Sequence, residues 1–299
     1  MKHKEIGVLF LLASLWGASF LFIRICSPVL GPFLLIELRV LIAGLVLLLY
    51  AYFTKRRLNF KEKWKEYLIV GAVNAAIPFT LIATATLTLN ASLASILNST
   101  TPLFTALVAW GWLKEKLTVK KVLGIILGVS GVVVLLGWSP LPFSSQVIFS
   151  ASLSVLAAIS YAFGGVYVKR TFTGVDPLSL ATGQQLAAAL VLLPMVLFNI
   201  PAVPVSKVVV VSVIGLAVLC TALAYLLYFY LIAAVGPTKT LTVTFLVPLF
   251  GVIWGILFLK ENVTTGMVVG LLIILSSIFM ISDFKMKSNA SVKIKQLES

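Results

Sequence analysis

Residues 102–118 read PLFTALVAWGWLKEKLT, and residues 248–264 read PLFGVIWGILFLKENVT. Both open on Pro-Leu-Phe, run through apolar residues, reach Leu-Lys-Glu at the same distance and place Thr three residues later. Extended without gaps, residues 101–136 match residues 247–282 at ten of 36 positions, including Gly124/Gly270. Chance pairing of Leu, Val and Ile explains part of this. It does not explain the proline, the Lys-Glu and the threonine in register. The offset of 146 is close to half of 299 residues, and nearly the same offset carries Trp16 onto Tyr161, Arg24 onto Lys169 and Pro32 onto Pro177. The chain is written twice.

Composition says what kind of chain this is. Hydrophobic residues make up 61%, charged residues 11%, and the mean hydropathy is +1.13. Soluble domains carry about 25% charged residues, so this chain has too little polar surface for water. Its apolar runs reach the ~18–20 residues a helix needs to cross a bilayer, and in lipid only helices or closed barrels satisfy their own backbone. The expected fold is therefore all-α and membrane-embedded. Ten apolar segments are read near 6–26, 31–53, 67–89, 91–112, 119–137, 147–168, 177–199, 207–234, 237–259 and 264–282. The first follows Lys2 and Lys4 as a signal peptide would. The repeat needs it as its first member, so it is read as a span.

With the N-terminus inside the cell, 19 of the 23 Lys and Arg fall on the cytoplasmic side, three outside, and Arg39 within a span. That split follows the positive-inside rule and predicts both termini in the cytoplasm. The net charge of +14 is thus read as a topology signal rather than a nucleic-acid footprint. Five spans per half is an odd number, so the second half must enter the membrane upside down. The expected architecture is ten transmembrane helices in two inverted five-helix repeats, residues 6–137 and 147–282, with a basic cytoplasmic tail at 283–299. Inverted repeats are a known plan of secondary transporters, which hold substrate near the midplane between the halves.

The doubled Pro-Leu-Phe…Leu-Lys-Glu…Thr…Gly, the WGASFLFIR of residues 16–24 and the PFLLIELR of residues 32–39 resemble the EamA type of the drug/metabolite transporter superfamily. The resemblance covers about residues 6–282. It implies ten helices with both ends inside, and a central cavity lined by the first, third, fourth, sixth, eighth and ninth helices. It leaves the substrate open, because amino acids, metabolites and drugs are all carried on similar sequences.

Pro102 and Pro248 each stand about eleven residues into their spans, ~16 Å deep at 1.5 Å per residue, where they would kink or gate the helix. Ser95, Asn98 and Ser99 share a face with Pro102, as Thr240 and Thr244 do with Pro248. Asn74 on the third span, Thr221, Tyr225 and Tyr228 on the eighth, and the related pair Trp16 and Tyr161 complete the expected substrate-binding set. Small hydroxyl residues also serve as helix glue in lipid, and isolated aromatics as packing or interface anchors. Several of them at mid-span favour a partly aromatic pocket. Glu37 and Arg39 lie two residues apart and face different ways, so Glu37 is expected to pair with Arg24 in a structural ion pair. The resemblance puts their helix at the cavity's edge.

Cys26 and Cys220 fit no metal or redox spacing, His3 is the single histidine, and no nucleotide-binding motif occurs. No metal, cofactor, ATP or nucleic acid is expected, and no oligomeric state is encoded in any legible motif. The reading is a secondary transporter in the plasma membrane, not an enzyme: an exporter of small neutral or zwitterionic organic metabolites such as amino acids. An alternative is a carrier of anionic or phosphorylated metabolites using Arg39 and Lys239. A remote one is a membrane-embedded enzyme acting on lipid-linked substrates, for which clustered acids, histidines or a nucleophile are lacking.

Overall fold

The computed structural model describes residues 1–56, 58, 60–138, 141, 144–197 and 204–282, and every regular element among them is helical. The basic tail expected at 283–299 lies outside the described residues. Eight helical stretches are long and apolar enough to cross a membrane: α1 His3–Leu30, α2 Pro32–Phe53, α3 Trp64–Ala85, α4 Ala91–Leu113, α5 Val119–Gly137, α6 Ser145–Thr171, α7 Pro177–Leu197 and α8 Lys207–Val235. Two apolar helices of 17 residues each follow, α9 Val243–Leu259 and α10 Thr265–Ile281. A single turn, Pro237–Thr240, precedes α9. Large apolar side chains such as Leu49, Val133, Phe149, Leu190, Val211 and Phe258 face outward, as a lipid-solvated surface requires.

Packing between the two halves is reciprocal. α5 lies on α10 and α2 on α7, each helix meeting its own repeat partner. α1 packs on α9 as α6 packs on α4, and α3 meets α6 as α8 meets α1. Small residues permit these close approaches, since lipid gives helices no hydrophobic reason to associate. A Cβ on Gly17 of α1 would stand 2.7 Å from Phe250 Cβ and 2.8 Å from the Gly251 backbone nitrogen on α9. Neither atom can yield without separating the helices, since a Cβ moves with its backbone.

Three features depart from straight α-helix. α4 loosens at Ser99–Thr100, just before Pro102, and the hydroxyls of Ser99, Thr100 and Thr101 donate to the carbonyls of Ile96, Leu97 and Asn98 at 2.6–2.7 Å. The carbonyl that Pro102 cannot serve is thereby satisfied. Residues Ala72–Ala76 of α3 and Gly215–Leu223 of α8 are wound as wider π-helix, at corresponding places in the two halves. Such turns rotate the following side chains out of α-helical register, and they recur at functional sites.

The Gly17 contact makes a prediction. Gly17→Val is expected to overpack the α1–α9 interface, costing ~1–3 kcal/mol and lowering the melting temperature in detergent. Gly111→Ala, where an added Cβ meets nothing within 4 Å, is expected to leave it unchanged or raised, which thermal unfolding of the two variants measures.

Candidate functional site

Between the halves lies a cavity of about 730 Å³. The π-wound segment of α3 brings Asn74 to its wall, and that of α8 brings Cys220 and Thr221. The loosened α4 contributes Ser95, Asn98, Ser99 and Pro102; α6 adds Tyr161, α8 also Tyr225 and Tyr228, α1 Trp16, and α9 Thr244 and Pro248. All but one of the expected substrate-binding residues are thus brought together. Thr240 is the exception: it is fully buried and donates to the Gly236 carbonyl at 2.9 Å. The expectation assumed one unbroken helix through Pro248, whereas the break at Leu241–Thr242 turns Thr240 off that face.

The walls are partly aromatic and largely committed. Trp16 and Tyr228 rings lie 5.5 Å apart. Asn74 Nδ2 donates to Gln184 Oε1 at 2.8 Å, and Gln184 Nε2 donates to the Tyr225 hydroxyl at 3.0 Å, tying α3, α7 and α8 into one polar strand beside the cavity. Gln184 escaped the sequence reading because α7 carries no charge, and its prolines, Pro177 at the start and Pro194 near the end, stand well away from it. Asn98 Oδ1 is buried without a hydrogen-bond partner.

The charges correct the sequence reading most. Arg24 does not meet Glu37: its Nη1 donates to the Thr86 and Leu87 carbonyls at the end of α3. Arg39 is not peripheral either. It lines the cavity at 5% exposure, its Nε donating to Thr221 Oγ1 at 3.0 Å and its Cζ standing 3.6 Å over the Phe79 ring. Glu37 Oε2 is buried with no hydrogen-bond partner, and Glu37 enters no salt bridge among the described residues. The expected Glu37–Arg24 pair is absent because the Arg24 guanidinium is spent on those carbonyls, while Arg39, about 200° round the helix from Glu37, takes the cavity side. Lys239 is exposed and does not line the cavity.

The two ends of the cavity differ. Both Lys-Glu pairs sit on the same local scaffold: Lys114 and Lys260 adopt left-handed φ of 58° and 54°, and the amides of Glu115 and Glu261 reach back to the Ala109 and Gly255 carbonyls. This helix-terminating motif throws each glutamate sideways. Glu261 then accepts from the Ala91 and Ser92 amides at 2.7 and 3.0 Å and from Ser92 Oγ at 2.6 Å, capping the N-terminus of α4. Gly255 lies beneath, where a Cβ would collide with the carboxylate. At the other end Glu115 accepts from Lys169 Nζ at 2.7 Å, both side chains are partly exposed, and both line the cavity.

A family model described as the EamA-like transporter family matches the chain twice, over residues 3–137 and 148–283. The chain belongs to the EamA-like transporter family. It is a multi-pass membrane protein of a family of transporters, not of enzymes. Among its relatives, the uncharacterized transporter YvbV of Bacillus subtilis is 29% identical over 94% of this chain and 92% of that one. Protein PecM of Dickeya dadantii is 26% identical over 100% and 98% of the two chains. A crystal structure superposes along the whole of both chains with a TM-score of 0.68 at 17% identity, a likeness of fold alone.

Because Glu37 has no partner among the described residues, Glu37→Gln keeps the shape and removes a buried ionisable group. It is expected to leave thermal stability unchanged or higher. A drop of several degrees would reveal a partner for the carboxylate.

Proposed function

We propose that this transporter is a secondary carrier of small neutral or zwitterionic organic solutes such as amino acids, working by alternating access between two inverted five-helix repeats. One observation carries the reading. Arg24 and Glu261 at one end of the cavity have Lys169 and Glu115 as their repeat partners at the other. The first two tie backbone groups across the helices, while among the described residues the side chains of the second two hold each other. A chain whose related residues are locked at one end and released at the other is poised between two mirror states.

The reciprocal helix packing and the double family match support the inverted-repeat plan. The released end carries Lys121 and Lys169, among the basic residues counted as cytoplasmic, so the cavity in this state faces the cytoplasm of a plasma-membrane protein with both termini inside. Loading from that side suits an exporter. The aromatic and amide-lined walls suit a compact organic solute. The phosphorylated-metabolite alternative relied on Lys239 as a second cation, and Lys239 lies away from the cavity.

The lock can be tested by labelling. In a Cys26→Ser, Cys220→Ser background, Thr101→Cys provides a thiol on the cavity wall. Adding Glu261→Ala or Gly255→Ala is expected to speed its labelling by an impermeant reagent outside intact cells at least several-fold, since either change removes the cap on α4. Equal rates would deny Glu261 a gating role.

A further inference from the structure

Arg39 asks for a ligand. Its guanidinium has five donors in a planar fork, and here only Nε is spent on protein, on Thr221 Oγ1. That hydroxyl is itself fixed, donating to the Leu216 carbonyl at 2.8 Å within the π-wound part of α8. The Phe79 ring supports the flat face of the guanidinium at 3.6 Å. Among the described residues the two terminal nitrogens donate to no protein acceptor, and no carboxylate forms an ion pair with Arg39. The titratable groups that act on its charge are the phenols of Tyr161 and Tyr225 and the thiol of Cys220. Thr221 and Phe79 hold the side chain, and among the described residues no carboxylate neutralises it.

A cation so deeply buried is costly to keep without a counter-charge, and an ionisable group in a membrane helix marks a binding pathway by default. We propose that the inner cavity is a carboxylate-binding site, in which the fork of Arg39 receives the carboxylate of a singly anionic or zwitterionic organic acid. This deepens the carrier reading and rests on it for the identity of the cargo. Geometry favours a carboxylate, because the two terminal N–H groups of a guanidinium match its two oxygens in parallel. Charge favours it over a phosphate dianion, because the other described cations of the cavity wall, Lys121 and Lys169, lie at the mouth, where Lys169 serves Glu115. The body of the solute would lie along Trp16, Tyr161 and Tyr228. The unpartnered Asn98 Oδ1 and the Trp16 face would serve an ammonium group where the solute carries one.

The test uses the full-length protein in detergent and in proteoliposomes, with four probes of one shape: 3-phenylpropionate, phenylalanine, 3-phenylpropionamide and phenethyl phosphate. Calorimetry is expected to find both carboxylates binding at least tenfold tighter than the amide and tighter than the phosphate. Arg39→Lys and Thr221→Val, the second keeping the charge but freeing the fork, are each expected to weaken carboxylate binding tenfold or more and amide binding little. Phenylalanine against 3-phenylpropionate separates a zwitterion site from a simple anion site, either of which upholds the proposal. Absence of carboxylate–amide discrimination, or of any binding, overturns it, and so does preference for the phosphate. Flux into proteoliposomes keeps the two readings apart. Arg39-dependent binding without flux would sink the carrier reading and leave the site standing. Flux of carboxylate and amide alike, untouched by Arg39→Lys, would do the reverse.

Discussion

In hydrocarbon a backbone amide or carbonyl that leaves its helix must find another partner inside the protein, since no water is there to receive it. That constraint decides where this structure can be irregular. The loosening of α4 before Pro102 occurs where Ser99, Thr100 and Thr101 stand in a row, and their hydroxyls take up the carbonyls the helix releases. The turn ahead of α9 is held the same way, by Thr242 donating to the Lys239 carbonyl and Thr244 to that of Leu241. The wide turns of α3 and α8 keep their backbone bonds by lengthening the ring. Irregular backbone is allowed at these sites, and the cavity forms beside them.

From that follows the shape of the site. A wide turn shifts the residues after it, which is how Thr221 comes to hold Arg39 from across the helix pair α2–α8. The seat of Glu261 on the start of α4 depends on equally local chemistry. Two identical helix endings throw two glutamates sideways, but only Gly255 leaves room for its glutamate to lie against the start of α4; the first half has Ala109 there. One methyl group distinguishes the two seats. The two halves thus share a plan and differ in their contacts.

The two intramembrane charges behave differently because burial alone does not decide a charge's role. Arg39 and Glu37 are both nearly inaccessible, at 5% and 6%. Arg39 is held by Thr221 and Phe79 on the cavity wall, and among the described residues its terminal nitrogens donate to no protein group. Glu37 has an orphaned oxygen and no place on the cavity wall. Their separation by two residues on α2 fixes the first fact about them, that they cannot serve each other.

The sequence by itself determined the membrane-embedded helical class, the doubling, and most of the cavity wall, because these depend on composition and on periodicity along one helix. Asn74, Asn98, Tyr161, Thr221, Tyr225 and Tyr228 were legible as polar or aromatic residues at mid-span, where lipid gives them no other use. Tertiary structure alone decided what reached across helices. Thr240 was lost from the wall when a turn broke the helix, Arg24 turned to carbonyls on α3, and Glu261 found the start of α4. Arg39 entered the cavity for the same reason. The reach and direction of a long charged side chain depend on which neighbour leaves space, and no spacing along the chain records that.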